Sequence, residues 1–291
     1  MAVTAPSQTK TGGSPTTLIL TILGLLMIVL GIVFLPGHLA TVEITAKPIA
    51  QVGSIPITNS YLTSWISLII LVGLFWAGTR SMTLVPRGIQ NAVEAIIDGL
   101  LGLAENVAGK KKGREFFALF ATIFLYVLVN NWLELLPGFT NSTVFVTFGG
   151  EQVPLFRSPS ADLNFTLALA VTAVFMVQFW SVKHTGWGGW ASKYINLKGG
   201  PIGFYVGLLE LISEISRVIS FSFRLFGNLF AGEVLLSVIP SLIPLVVVLP
   251  FLGLEVFVGL VQALVFGLLT MAFVVMATIS HGGEGEHGHG H

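Results

Sequence analysis

Glu210, Glu214, Arg217, Arg224, Asn228 and Glu233 fall within one long apolar stretch, and Glu255 and Gln262 fall within the next. An ionisable side chain at the centre of a membrane helix costs at least about 2.5 to 3.5 kcal/mol on insertion scales, so such a series needs protein or water around it. At about 100° per residue, positions 210, 214, 217, 221, 224 and 228 share a sector roughly 80° wide, a polar stripe interrupted only by Phe221. Glu233 lies nine residues beyond Arg224, about half a turn around the helix and about 13 Å further along it. Arginine stays protonated at all ordinary pH and cannot relay a proton. It can serve as a fixed positive charge that makes a passing carboxylic acid release its proton and that interrupts a continuous water wire. Glu255 and Gln262, seven residues apart, lie on one helix face about 10 Å from each other. The chemistry these residues can do is stepwise proton transfer across a membrane.

Two further groups frame an entrance to such a path. Asn130, Asn131 and Glu134 end one apolar run, and Asp162 and Asn164 open the next. They form the mouth of an aqueous channel, or Glu134 and Asp162 act as interfacial helix caps. Glu210 and Glu214 likewise either serve the path or pair with Arg217 as a structural salt bridge, and Glu233, Glu255 and Gln262 either carry protons or form a structural hydrogen-bond network. Gly227, Ala231 and Gly232, small residues around Asn228, permit close approach of another helix.

The elements that position these residues follow from composition. Of 291 residues, 54% are hydrophobic and 10% charged, against roughly 25% charged in a soluble domain. The expected class is an all-α integral membrane protein with six crossing helices, near 18–35, 60–79, 116–136, 163–182, 204–239 and 242–279. Residues 18–280 form the membrane domain, after a polar tail at 1–17 and before a His/Gly/Glu tail at 281–291. The first apolar run, Leu18 to Leu35, lacks a basic start and a small-residue cleavage site and is read as retained. Residues 88–108 mix apolar and charged positions and suit an interfacial amphipathic helix. The last two spans are far longer than the roughly 20 residues a crossing needs and must tilt strongly or bend. Residues 36–59 and 137–162 read as loops on one side. On the other side Lys183 to Gly200 reads as a basic loop, with His184 inside it.

Arg80, Arg87, Lys110, Lys111, Lys112, Arg114, Lys183, Lys193 and Lys198 flank that side, against Lys47 and Arg157 opposite, so the basic side is cytoplasmic and both termini lie there. With zero net charge there is no basic field for nucleic acid, and without cysteine there is no disulfide or thiolate chemistry. No cofactor or metal is expected. An ion-coupled secondary transporter would also bury carboxylates and an arginine, but such folds usually carry internal repeats, and none is visible. A structural scaffold has no use for charges along two long helices.

The segment Arg224-Leu225-Phe226-Gly227-Asn228-Leu229-Phe230-Ala231-Gly232-Glu233 resembles the signature helix of subunit a of F-type ATP synthases. Asn131-Trp132-Leu133-Glu134-Leu135-Leu136-Pro137, Pro159-Ser160-Ala161-Asp162-Leu163-Asn164 and Leu260-Val261-Gln262-Ala263 resemble the family pattern in the same order. The resemblance covers roughly residues 60–280, so Leu18 to Leu35 precedes it, and Glu255 stands where some relatives have histidine. It implies a non-catalytic stator subunit with two offset half-channels beside a rotating ring of c subunits, each bearing one buried carboxylate. Protons would enter past Asn228, Glu233, Glu255 and Gln262 and leave near Glu210, with Arg224 facing the ring. The implied partners are the c ring, the peripheral-stalk b subunits, the other synthase subunits, the translocated H+ and membrane lipid.

Overall fold

A computed structural model describes residues 45–136, 139, 144–195, 200–242 and 248–278. The readings of the tail at 1–17, the span at 18–35 and the tail at 281–291 lie outside these residues. Among the described residues five helices dominate: α1 (Asn59–Thr79), α2 (Ile89–Glu134), α3 (Leu163–Tyr194), α4 (Gly200–Leu242) and α5 (Val248–Ala277). All but α4 form a set of four that are long and apolar enough to cross a membrane. The 43 residues of α4 span about 64 Å as a straight helix, twice the thickness of a hydrocarbon core. Two short antiparallel hairpins, β1 (Pro48–Val52) with β2 (Ile55–Thr58) and β3 (Phe145–Phe148) with β4 (Glu151–Pro154), add strand to the otherwise helical chain. A Lys47–Glu151 ion pair of 3.6 Å links the two hairpins.

Helix α1 shows what solvent the fold is built for. It buries Asn59, Ser60, Thr63, Ser64 and Ser67 and exposes Ile69, Val72 and Trp76. That is the reverse of a water-soluble helix. Lipid tails reward no burial of apolar groups, so helix contacts are made by small and hydroxyl side chains that pack closely and share hydrogen bonds. Deeper in the molecule Phe116, Phe120, Val127, Ala173, Leu225, Leu229, Ala263 and Phe266 form the apolar centre.

Two helices turn corners at glycine. Gly109 (φ 76°, ψ 162°) and Gly186 (φ 75°, ψ 163°) interrupt α2 and α3 with backbone that side-chain-bearing residues scarcely adopt. Each corner is sharp. Arg114 Nε donates to Glu105 Oε1 at 2.6 Å, although nine residues of straight helix would hold them about 13 Å apart. Trp190 Nε1 and the Tyr194 hydroxyl both donate to Gln178 Oε1, at 2.8 and 3.0 Å. The segment from Ile89 to Ala108 is therefore a separate arm folded against the span that follows Gly109.

The second corner corrects the loop reading of residues 183–194, which are helical to Tyr194, with His184 on the helix. Gly188, Gly189 and two tryptophans look like a turn in sequence. Tertiary bonds to Gln178 hold them helical instead. Replacing Gly109 with Val is expected to cost about 1 to 3 kcal/mol of backbone strain, read as a lower unfolding temperature of the detergent-solubilised complex relative to Ala108→Val.

The ends of the helices separate cleanly. Lys112 Nζ donates to Val275 O and Thr278 Oγ1, and His184 Nε2 meets Glu115 Oε1 at 3.0 Å, so the basic segments of α2 and α3 gather with the C-terminus of α5. At the opposite end the start of α1 meets the start of α3 and the end of α2.

Candidate functional site

The site begins with an irregular segment where regular structure would be expected. Residues 157–162, Arg-Ser-Pro-Ser-Ala-Asp, are all buried yet belong to neither helix nor strand. Non-helical backbone at membrane depth survives only inside protein or beside a water-filled cavity. Neighbouring helices supply its partners. Arg157 N donates to Thr63 Oγ1 of α1 at 3.3 Å, and Ser160 Oγ donates to Asn131 Oδ1 of α2 at 2.6 Å. Asn131 Nδ2 in turn donates to Gly259 O of α5 at 2.9 Å, so one amide joins three elements. Asp162 caps α3 by accepting from Asn164 N at 3.0 Å, and its other oxygen accepts from Ser60 Oγ at 2.6 Å.

Behind this segment lies a cluster of three carboxylates. Glu134 ends α2, only 2% exposed, with Ser158 facing it and Glu233, Glu255 and Arg157 within electrostatic range. Glu255 of α5 is buried and sits directly over Gly232 of α4, where a Cβ would land on its carboxylate. The absence of a side chain at 232 makes the space for that carboxyl group. Glu233, the next residue, meets the guanidinium of Arg157, Nη2 to Oε2 at 3.6 Å. The cluster therefore draws on α2, α4, α5 and the 157–162 segment.

Arg157 was weighed in the sequence only as a surface charge for topology, and its place here is new. One signal existed: it is an arginine on the side from which positive residues are otherwise depleted. Asp162 and Asn164 are set apart from the cluster, in the wall of a cavity of about 410 Å³ shared with Ser60, Ser64, Trp65 and Tyr126. Asn131 and Glu134, grouped with them as a channel mouth, lie deeper.

At the basic end a second polar group forms between α3 and α4. Lys193 Nζ reaches Glu210 at 2.9 Å and Glu214 at 3.5 Å, while Arg217 reaches the same two carboxylates at 3.7 and 2.8 Å. The salt bridge with Arg217 is thus present, with a partner from α3 that spacing on α4 could not reveal.

Arg224 belongs to neither group. Among the described residues it has no carboxylate at ion-pair distance, and its one side-chain contact is Nη2 to Ser220 Oγ at 3.5 Å. Asn228, one turn on, is exposed, and Gln262 is half-buried two turns along α5 from Glu255. Ser216, Ser220, Gly227 and Ala231 are exposed beside Arg224, within about 80° of it around the helix. Among the described residues nothing covers the flank of α4 that carries the arginine, a strip of small residues that permits close approach of another helix.

The family model described as ATP synthase A chain matches residues 61–275 of the chain. The chain belongs to this family. It is 34% identical over 244 residues to ATP synthase subunit a of Gloeobacter violaceus, covering 84% of this chain and 93% of the relative. To ATP synthase subunit a of Moorella thermoacetica it is 31% identical over 245 residues, 84% of this chain and 99% of the relative. To that of Campylobacter jejuni subsp. doylei it is 35% identical over 225 residues, 75% and 90% of the two chains. As a member of the ATP synthase A chain family it is a multi-pass membrane protein of proton transport and ATP synthesis. It is a non-catalytic subunit that works with other synthase subunits.

Replacing Asn131 with Leu is expected to leave Gly259 O and Ser160 without their partner. A buried polar group left unsatisfied costs about 1 to 3 kcal/mol, so the complex should unfold at a lower temperature, while Asn131→Asp should lose less because Ser160 can still donate to it.

Proposed function

We propose that the chain is the proton-conducting stator of a rotary ATP synthase, with two half-channels that meet a ring of c subunits at Arg224. The observation that carries this reading is the contrast among the cations. Arg114, Arg157, Lys193 and Arg217 each meet a carboxylate of this chain, whereas Arg224, on a helix of membrane-crossing length, meets none among the described residues. A guanidinium in low-dielectric surroundings requires a counter-charge. A strip of small residues beside it lets a helix bearing that carboxylate come close. The partner is supplied in trans, by each ring carboxylate in turn.

In this reading protons enter from the end opposite the basic loops, past Asp162 and Asn164, and reach Glu134, Glu233 and Glu255 through the polar surroundings of Asn131. Asn228 and Gln262 extend the path from that cluster to the ring. A ring carboxylate takes the proton, becomes neutral and turns away through lipid. On its return the exit near Glu210 opens to the basic side, and the positive charge of Arg224 draws the carboxylate into its ionised form. The same charge keeps the two half-channels from joining. Glu210 lies there in a polar group of two carboxylates and two cations, with Glu214, Lys193 and Arg217.

The six crossings, with α4 and α5 tilted against the ring, complete the architecture. The bacterial inner membrane, cytoplasmic termini and contact with b subunits of the peripheral stalk belong to the same proposal. ATP-driven acidification of vesicles carrying the assembled complex tests it, with Arg224→Ala as the deciding variant. Full pumping in that variant overturns the reading. Glu233→Gln and Glu255→Gln are expected to slow pumping severalfold without abolishing it, each removing one of several polar stations.

A further inference from the structure

We propose that Arg157 is a positioning residue of the entrance half-channel: it anchors Glu233 to the buried 157–162 segment and supplies the standing counter-charge for the carboxylates of Glu134 and Glu233. This rests on the stator reading and adds a residue to it.

Arg157 is held from several directions. Its side chain is 6% exposed, its backbone N donates to Thr63 of α1, its Nη2 donates to Ala161 O at 3.4 Å and the same nitrogen meets Glu233 Oε2 at 3.6 Å. The backbone of Arg157 is therefore fixed to α1 and its guanidinium to its own segment, whereas Glu233 is carried by α4, the helix that also carries Arg224. The Arg157–Glu233 contact ties the entrance to the ring-facing helix. A single guanidinium also faces two carboxylates, Glu233 of α4 and Glu134 at the end of α2, and Glu134 in turn faces Glu255 of α5. Ionised carboxylates crowded in low-dielectric surroundings repel one another, and each needs a partner or a proton. A fixed positive charge lets one of them stay ionised while protons pass among the rest. A fully protonated cluster accepts no proton, and a fully ionised one without a counter-charge is too costly to form.

The contrast with Arg224 is instructive. Both arginines are fixed charges, but Arg157 has its carboxylate in cis and permanently, so it conditions the path, whereas Arg224 acts on carboxylates that come and go.

The test is a double-mutant cycle on passive proton conduction, measured in membranes stripped of the catalytic sector and normalised to the amount of assembled subunit. Arg157→Gln is expected to lower conduction at least about tenfold in the native background and less than about twofold in a Glu233→Gln background. Coupled residues are non-additive in such a cycle. Arg157→Lys, which keeps the charge and loses the forked geometry, should retain at least about a third of native conduction. A merely structural Arg157 predicts the same fold loss in both backgrounds, and that result overturns the proposal, as does native conduction in Arg157→Gln. Where Arg157→Gln fails to assemble, the assembled amount becomes the readout: recovery in Arg157→Gln/Glu233→Gln supports the pairing, and equal loss in both overturns it. Failure of the stator reading is distinguishable, since it appears as ATP-driven pumping indifferent to Arg224→Ala whatever Arg157 does.

Discussion

Arg224→Ala is expected to abolish ATP-driven proton pumping in vesicles whose content of assembled subunit matches that of the native chain. The magnitude follows from the interaction it removes. Two unit charges about 4 Å apart interact by roughly 4 kcal/mol at an effective dielectric constant of 20. Each 1.36 kcal/mol is about a tenfold bias between protonated and ionised forms, so the guanidinium favours proton release from a facing carboxylate by about a thousandfold. A loss of at least about a hundredfold in coupled pumping should result. On the proposed mechanism the mutant should also leak, because the charge that would separate the two half-channels is gone. Arg224→Lys is a more demanding comparison. A lysine desolvated at a helix interface can itself lose its proton, so it is no permanent charge, and its pumping should fall below about a tenth of native. Intact pumping in Arg224→Ala would return the residue to a packing role.

Gly232→Leu should have the next largest effect, a fall of at least about tenfold in pumping with the subunit still assembled. The position a Cβ would take is already filled by the Glu255 carboxylate. Overpacking a tight contact costs about 1 to 3 kcal/mol, and here relief comes by pushing Glu255 out of the cluster. Gly232→Ala should be milder, severalfold, because a carboxylate at the end of a rotatable side chain can swing aside from one methyl group. Stopped-flow acidification of the same vesicles reads both variants. Native rates in Gly232→Leu would show that Glu255 takes no part where α4 and α5 meet.

Much of the helix framework was legible before any coordinates, because lipid imposes a length and an apolarity that hydropathy reports directly. Arg224 stood out for the same reason, as a guanidinium within a long apolar stretch, and its role is part of the proposal. What could not be read was anything that depends on two elements meeting. Arg157 is one turn of phrase away from a surface charge in sequence, and only the packing of the 157–162 segment between α1, α2 and α4 makes it a buried ion-pair partner. Lys193 joins Glu210 and Glu214 because α3 turns a corner at Gly186, a bend no periodicity predicts. The reading of Gly188 and Gly189 as loop failed on that ground: local propensity favoured a turn, and hydrogen bonds to Gln178 overruled it.

The amide of Asn131 depends on residue 160 for one bond and on residue 259 for the other, and Glu134 shares its cluster with Glu255. Residues from the middle of the chain and from α5 are thus needed together before the proposed entrance has walls. During synthesis, when the early helices are already in the bilayer and the last has yet to leave the ribosome, the chain holds the pieces of a proton path without the path. On the proposed reading, the order of translation leaves the entrance as the last part of that path to be walled.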